Sequence, residues 1–258
     1  MMAYKKLKFW FDEELAEGLA DKISNVRQDF PRENFISDVT QAVASLELKE
    51  RVELICDEFH AKLGGAYPQN VEILLSILGP ENPNETGMFT EFYWVMPIAK
   101  YVEKYGINYF EVSMKAIKEI TKRNTSEYAI RPYLRTYTEQ TLSQMLLWSD
   151  DENFHVRRLA SEGVRPRLPW ASKLDVFIQR PKLILPILDN LHNDKIKYVQ
   201  KSVANCLNDI LKDNIDIGKE LIDKWKEGYC SKECNWIIKH ALRNLLKNND
   251  SWAQKVVA

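Results

Sequence analysis

The sequence predicts an all-α chain of stacked helical pairs, and three observations predict it. Strand signals are nearly absent: no Asn-Gly or Asp-Gly pair marks a hairpin, and period-two alternation is scarce. Apolar residues recur at helical spacing along the whole chain. The second half contains an internal repeat with a period near 40 residues. The 258 residues suit one elongated repeat domain or two small ones. Gly and Pro are too sparse for a collagenous or disordered chain, and 45% hydrophobic with 28% charged residues is ordinary for a soluble globular protein.

The N-terminal stretch MMAYKKLKFWFDEELAEGL has basic residues but neither an apolar h-region nor a cleavage site, and no apolar run reaches the ~20 residues a membrane span needs. The expectation is a cytoplasmic protein with no membrane contact. Leu46, Val52, Ile55 and Phe59 form one helical stripe; Val71, Leu74, Leu75 and Leu78 form a second, closed by Gly79-Pro80. Gly79–Gly87 is the clearest loop. It is expected to divide a single domain (1–258) into an N-terminal helical cap (1–85) and the repeats (86–258). Phe89, Phe92, Tyr93 and Trp94 then form an aromatic cluster expected to pack between helices. Further helices are predicted over Met96–Tyr105, Tyr109–Lys122, Glu139–Leu147 and Leu183–Leu191.

Residues 141–163 align without a gap on residues 184–206. Met145 falls on Leu188, Asp151 on Asp194, Val156 on Val199 and Arg158 on Lys201. A third copy, NWIIKHALRNLL (235–246), follows 38 residues later and sets Ile237 on Val199 and Lys239 on Lys201. Each copy reads as a helix, an Asp/Asn turn and a second helix, the HEAT/armadillo pattern, whose units stack into a curved α-solenoid because none buries its apolar face alone. Arg158, Lys201 and Lys239 fill one polar column; Glu162, Asn205 and Arg243 fill the next. Facing inward, they would line a concave basic groove suited to a phosphate backbone; facing outward, they would be a solvated surface with an ordinary Arg158–Glu162 pair. Residues 157–201 carry 10 Lys/Arg against 4 Asp/Glu, whereas residues 1–100 carry 10 against 17, so a polyanion partner would meet the second half. Cys230 and Cys234 lie one helical turn apart with His240 as the only close ligand type, too few for zinc, so thiols and no metal are expected.

No Ser-His-Asp arrangement, phosphate loop or HExxH pair is present. The informative stretch is HVRRLASEGVRPRLPW (155–170), four arginines, a glutamate and a tryptophan around two prolines that stiffen the loop. Arginine suits phosphate because its planar donors match two oxygens at once.

This stretch resembles the corresponding segment of the AlkD/AlkC-type alkylbase DNA glycosylases, in the AlkC branch. TSEYAIRPYL (125–134), KSVANCLNDI (201–210), IKHALRNLLKNND (238–250) and WFDEELAEGLA (10–20) extend the resemblance over nearly the whole chain. It implies HEAT-like repeats, excision of cationic bases such as 3-methyladenine and 3-methylcytosine, with 7-methylguanine a further candidate, and a short form without the extra immunoglobulin-like domain of some relatives. It also implies that the lesion is engaged from the backbone side rather than flipped into a tight pocket, the usual glycosylase route. Matched motif by motif, it assigns the catalytic set to Glu127, Glu162, Trp170 and Asp209. Arg131, Arg158, Arg165, Arg167, Lys201, Lys239 and Arg243 are the candidate phosphate contacts, from columns and motifs together. Duplex DNA bound by a monomer, with no cofactor, is the expected partner.

The chemistry needs little more. A base alkylated on a ring nitrogen is already a cationic leaving group, so carboxylates have only to stabilise the sugar's developing charge and position water, while an indole face adds cation–π attraction. Without a singled-out lysine, a monofunctional hydrolase is expected. The structural alternatives are an ion pair of Glu127 with Arg131, of Glu162 with Arg158 or Arg165, a cap or pair of Asp209 with Lys212, and plain packing for Trp170. On those, the chain would be a non-catalytic repeat scaffold for DNA or a protein.

Overall fold

The computed structural model describes residues 5–87 and 89–258, with the side chains of Phe89 and Thr90 outside that description. Every regular element among the described residues is helical. The chain forms two compact units that divide between Ala129 and Ile130.

In the first unit a 3-10 turn, Leu7–Trp10, precedes α1 (Glu13–Val26), α2 (Arg32–Val43), α3 (Leu48–Leu63), α4 (Tyr67–Ser76), α5 (Phe89–Phe92), α6 (Met96–Tyr105) and α7 (Phe110–Thr121). Asp12 caps α1 by accepting from the Leu15 N–H at 3.3 Å, and Glu47 and Glu50 form a capping box at α3. That box starts α3 at Leu48, so Leu46 of the predicted stripe lies just outside it; Leu78 likewise lies beyond the end of α4. Val52, Ile55 and Phe59 of the first stripe and Val71, Leu74 and Leu78 of the second are buried, and the Phe35 and Phe59 rings stack at 5.5 Å. Tyr93 packs edge-on against Trp10 and Phe11, and the Lys22 ammonium lies 4.9 Å from the Trp94 ring, so these aromatics serve helix packing; the Phe89 side chain lies outside the described residues.

The loop expected to set off a cap is fastened inside this first unit. Gly79, at φ 70°, reverses the chain, the Asn82 N–H donates to the Lys122 carbonyl at 2.9 Å, and Arg123 donates twice to the Gly79 carbonyl at 3.0 and 2.8 Å. Proline and glycine mark where a chain turns, not whether the turn is tied down.

The second unit runs through α8 (Arg131–Thr136), α9 (Thr138–Trp148), α10 (Phe154–Gly163), α11 (Asp175–Gln179), a 3-10 turn (Pro181–Ile184), α12 (Leu185–Leu191), α13 (Lys197–Asp213), α14 (Ile215–Glu227), α15 (Lys232–Ala241), α16 (Arg243–Lys247) and α17 (Ser251–Val257). The predicted repeats are the pairs α9/α10, α12/α13 and α14/α15. The second helices form one layer, α13 packing between α10 and α15. The 43-residue register holds in the core and in the turns. Val156, Val199 and Ile237 are all fully buried, as are Ala160, Val203 and Ala241. Asp151 accepts from the Asn153 N–H at 2.9 Å, and its counterpart Asp194 accepts from the Ile196 N–H at 2.8 Å, the same Asx turn entering α10 and α13. Arg157 donates to the Asp151 carbonyl as its counterpart Gln200 donates to the Asp194 carbonyl, both at 2.9 Å. Arg157 also clips neighbouring repeats, its Nε donating to Asp194 at 2.6 Å.

Candidate active site

The loop after α10 is held from two sides. A Cβ on Gly163 would lie 2.8 Å from Ile130 and 2.9 Å from Met145, so glycine lets the end of α10 approach α8 and α9 this closely. Arg131, only 2% exposed, then donates to the carbonyls of Gly163, Arg165 and Ser172 at 3.2, 2.9 and 2.7 Å. Arg135 adds a bond to the Ser172 hydroxyl at 2.6 Å. This settles Arg131 differently from the sequence expectation. Its guanidinium faces inward on loop carbonyls and is not a phosphate contact in this conformation.

The pinned loop projects Trp170. The residue is 83% exposed and sits at φ 63°, a left-handed conformation that costs a non-glycine residue about 1–2 kcal/mol. The indole therefore stands largely in solvent.

Below the loop lie two acids and one arginine. Glu162 lies at the end of α10 and Asp209 in the fourth turn of α13, 5% and 1% exposed. Arg165 bridges them: its Nη1 donates to Glu162 at 2.7 Å and its Nε to Asp209 at 2.9 Å. Arg158 stands 3.6 Å from Glu162 and Lys212 stands 3.4 Å from Asp209. Burial pushes the Glu162 carboxyl up, but Arg158 and Arg165, with the Ser202 hydroxyl, outweigh it and hold the group below its ordinary range. Burial works against the Arg165 cation, and the two carboxylates outweigh that in turn, so it stays firmly protonated. Arg165, expected at a phosphate, is thus buried between two acids.

The other predicted cations divide by exposure. Arg167 is half-buried and grips Asp213 with two bonds of 2.7 and 2.5 Å. Arg158 is half-buried, its guanidinium 4.8 Å from the Tyr198 ring. Lys201 and Lys239 are exposed on α13 and α15. Arg243, just past α15, donates to Asn205 at 3.0 Å. The column Lys201, Asn205, Asp209 therefore runs along α13 from solvent into the protein. Beside it, the Lys197 ammonium lies 2.9 Å from the Trp236 ring centroid and Trp236 stacks on His240 at 4.8 Å. Burial lowers Lys197, His240 and Arg243 below their ordinary values, and neighbouring cations lower each of them further. This surface concentrates positive charge with little internal neutralisation.

Glu127 belongs to the first unit. It lies in a turn ahead of α8, not in a helix, and accepts a short hydrogen bond from the Thr125 hydroxyl. Thr125 is itself placed by Asn124, a buried side chain that accepts from the Thr125 N–H at 2.8 Å and donates to the Phe92 carbonyl at 2.8 Å. Sequence reasoning missed Thr125, although its place two residues before the acid, in a Thr-Ser-Glu run, is the kind of local signal that marks such a contact. Cys230 and Cys234 adjoin at the start of α15, Sγ to Sγ 2.8 Å, and among the described residues no group of three or more His, Cys, Asp and Glu is placed to hold a metal ion. No described helix is long and apolar enough to cross a membrane.

Comparison with known proteins agrees with this geometry. The family model for the DNA alkylation repair enzyme matches residues 96–245. The chain is 37% identical over 248 residues to YhaZ, an uncharacterized protein of Bacillus subtilis (strain 168), covering 96% of this chain and 66% of that protein. Among solved structures it is similar to Pseudomonas fluorescens alkylpurine DNA glycosylase AlkC bound to DNA containing an abasic site analog. The two share 35% identity with a TM-score of 0.89, over 99% of this chain and 69% of that one. The chain thus spans about two thirds of the length of both relatives. From its helical repeats, its matched region and these likenesses, the chain belongs to the DNA alkylation repair enzyme family.

Proposed function

We propose that this protein is a DNA glycosylase that hydrolyses the N-glycosidic bond of cationic alkylated bases, 3-methyladenine and 3-methylcytosine first among them. The observation that carries the reading is the pair of buried acids, Glu162 and Asp209, both ion-paired with Arg165 beside a basic surface. Acids inside a DNA-binding face repel phosphate, and they are worth that cost only where positive charge develops. On this reading Glu162 and Asp209 stabilise the sugar as the base departs and position the attacking water, and Glu127 is a further candidate carboxylate, in the first unit. The exposed Trp170 indole offers its face to the cationic sugar or base. Lys201, Lys239 and Arg243, joined by Arg158, hold the phosphates around the lesion. Neutral bases gain little from such a field, which would set the selectivity.

Duplex DNA is the partner on this reading, met by a monomer in the cytoplasm where that DNA is. The test is direct. Purified protein should release 3-methyladenine from methylated duplex DNA in chelator-treated buffer. Salt-sensitive duplex binding with no released base would instead select a non-catalytic repeat scaffold.

A further inference from the structure

Four arginines occupy residues 157–167, and their type alone suggests a phosphate-binding strip. Arg165 does something else. It is 7% exposed and donates to carboxylates on two different helices, Glu162 of α10 and Asp209 of α13. Two acids meeting around one point in a buried site cannot both ionise unaided, because like charges at short range drive one of them to keep its proton. Arg165 is the cation that reaches both of them.

We propose that Arg165 is a positioning residue: its guanidinium, bound to Glu162 on one side and Asp209 on the other, holds the two acids together and aimed, and makes no contact with DNA. The inference rests on the glycosylase reading of that site. The groups facing the trio come from every neighbouring element. Arg158 on α10 faces Glu162, and Lys212 on α13 faces Asp209. Cys206 on α13 is fully buried, so its thiol is held uncharged. Arg243 after α15 feels both Asp209 and Arg165, and Arg131 on α8 fixes the Arg165 carbonyl. Arg167 is engaged by Asp213. Arg158 is placed against Glu162 and Lys212 against Asp209, whereas Arg165 bonds both. A lysine there would carry the charge but could not hold both acids in one planar fork.

The experiment measures single-turnover release of 3-methyladenine from methylated duplex between pH 5 and 9, with duplex affinity against salt measured alongside. Wild type should keep its rate down to about pH 5. In Arg165→Met one acid should take up a proton near neutrality, moving the acid limb up by about 1–3 pH units, with the salt slope of binding unchanged. Arg165→Lys should return the limb part of the way. Adding Asp209→Asn to Arg165→Met removes the repulsion, so the limb should fall back to the wild-type pH at a lower plateau. A wild-type limb in Arg165→Met, with a salt slope smaller by about 1, would make Arg165 a phosphate contact and overturn the proposal. Should Arg165→Met fail to fold, Arg165→Lys decides: an upward limb supports the bridge, an unmoved limb overturns it. Wild-type protein that releases no base at any pH would sink the glycosylase reading itself, an outcome distinct from an unmoved limb.

Discussion

Replacing Trp170 with glycine should remove the largest exposed aromatic side chain and leave the protein about as stable as before. Three terms decide this. Left-handed φ at 63° costs an ordinary residue about 1–2 kcal/mol, which glycine recovers. Glycine's greater freedom in the unfolded chain returns about 0.5–1 kcal/mol of that. With 83% of the residue exposed, the contact surface lost is on the order of 40 Å², worth about 1 kcal/mol. The sum lies within about 1 kcal/mol of zero. Trp148, 3% exposed in α9, is the internal control: its replacement by alanine should cost about 3–5 kcal/mol. Urea unfolding of the two variants beside wild type reads both numbers, and base release from methylated duplex should fall only for a soluble, folded Trp170→Gly. A loss above about 3 kcal/mol in Trp170→Gly would show that the indole is a packing element after all.

Other outcomes follow from the same geometry. Glu162 has a folded-state pKa below its unfolded value of 4.5, so its contribution is complete above that pH and lost as pH falls through the lower folded value. Glu162→Gln should therefore cost about 3 kcal/mol near neutrality, and the gap from wild type in a Tm series should close below pH 4.5. Arg131→Met leaves three loop carbonyls without their donor and should cost about 2–4 kcal/mol by urea unfolding, with the salt slope of DNA binding unmoved; a reduced slope would restore it as a phosphate contact. Lys201→Ala and Lys239→Ala, both at exposed positions, should each weaken duplex binding and lower the salt slope by about 1 without changing release at saturating protein.

The repeats were legible because short-range rules fix them. Valine at 156 and 199 and isoleucine at 237 had to face the core once the 43- and 38-residue offsets were seen, and the aspartates at 151 and 194 had to turn the chain where they do. The site was legible at the level of residue type and motif: two of the four assigned residues, Glu162 and Asp209, meet around one guanidinium, and Trp170 is exposed. The arginines were not legible. Arg131 and Arg165 look like Arg158 and Arg167 in the sequence, and only contacts across 32 to 44 residues turn the first two inward. Glu127 lies in a turn ahead of α8, where it accepts from Thr125, a contact the helical spacing did not show. The loop at 79–87 showed its turns but not Arg123, which ties it down from α7's far end.

The central claim is that buried negative charge serves the reaction rather than the fold or the grip on DNA. The most direct measurement compares, for Asp209→Asn and wild type, the single-turnover rate of 3-methyladenine release with the Kd for the same duplex. The account predicts a rate loss of about 100-fold or more with a Kd changed less than about threefold in either direction. An unchanged rate, or a rate that falls only in step with binding, would contradict it.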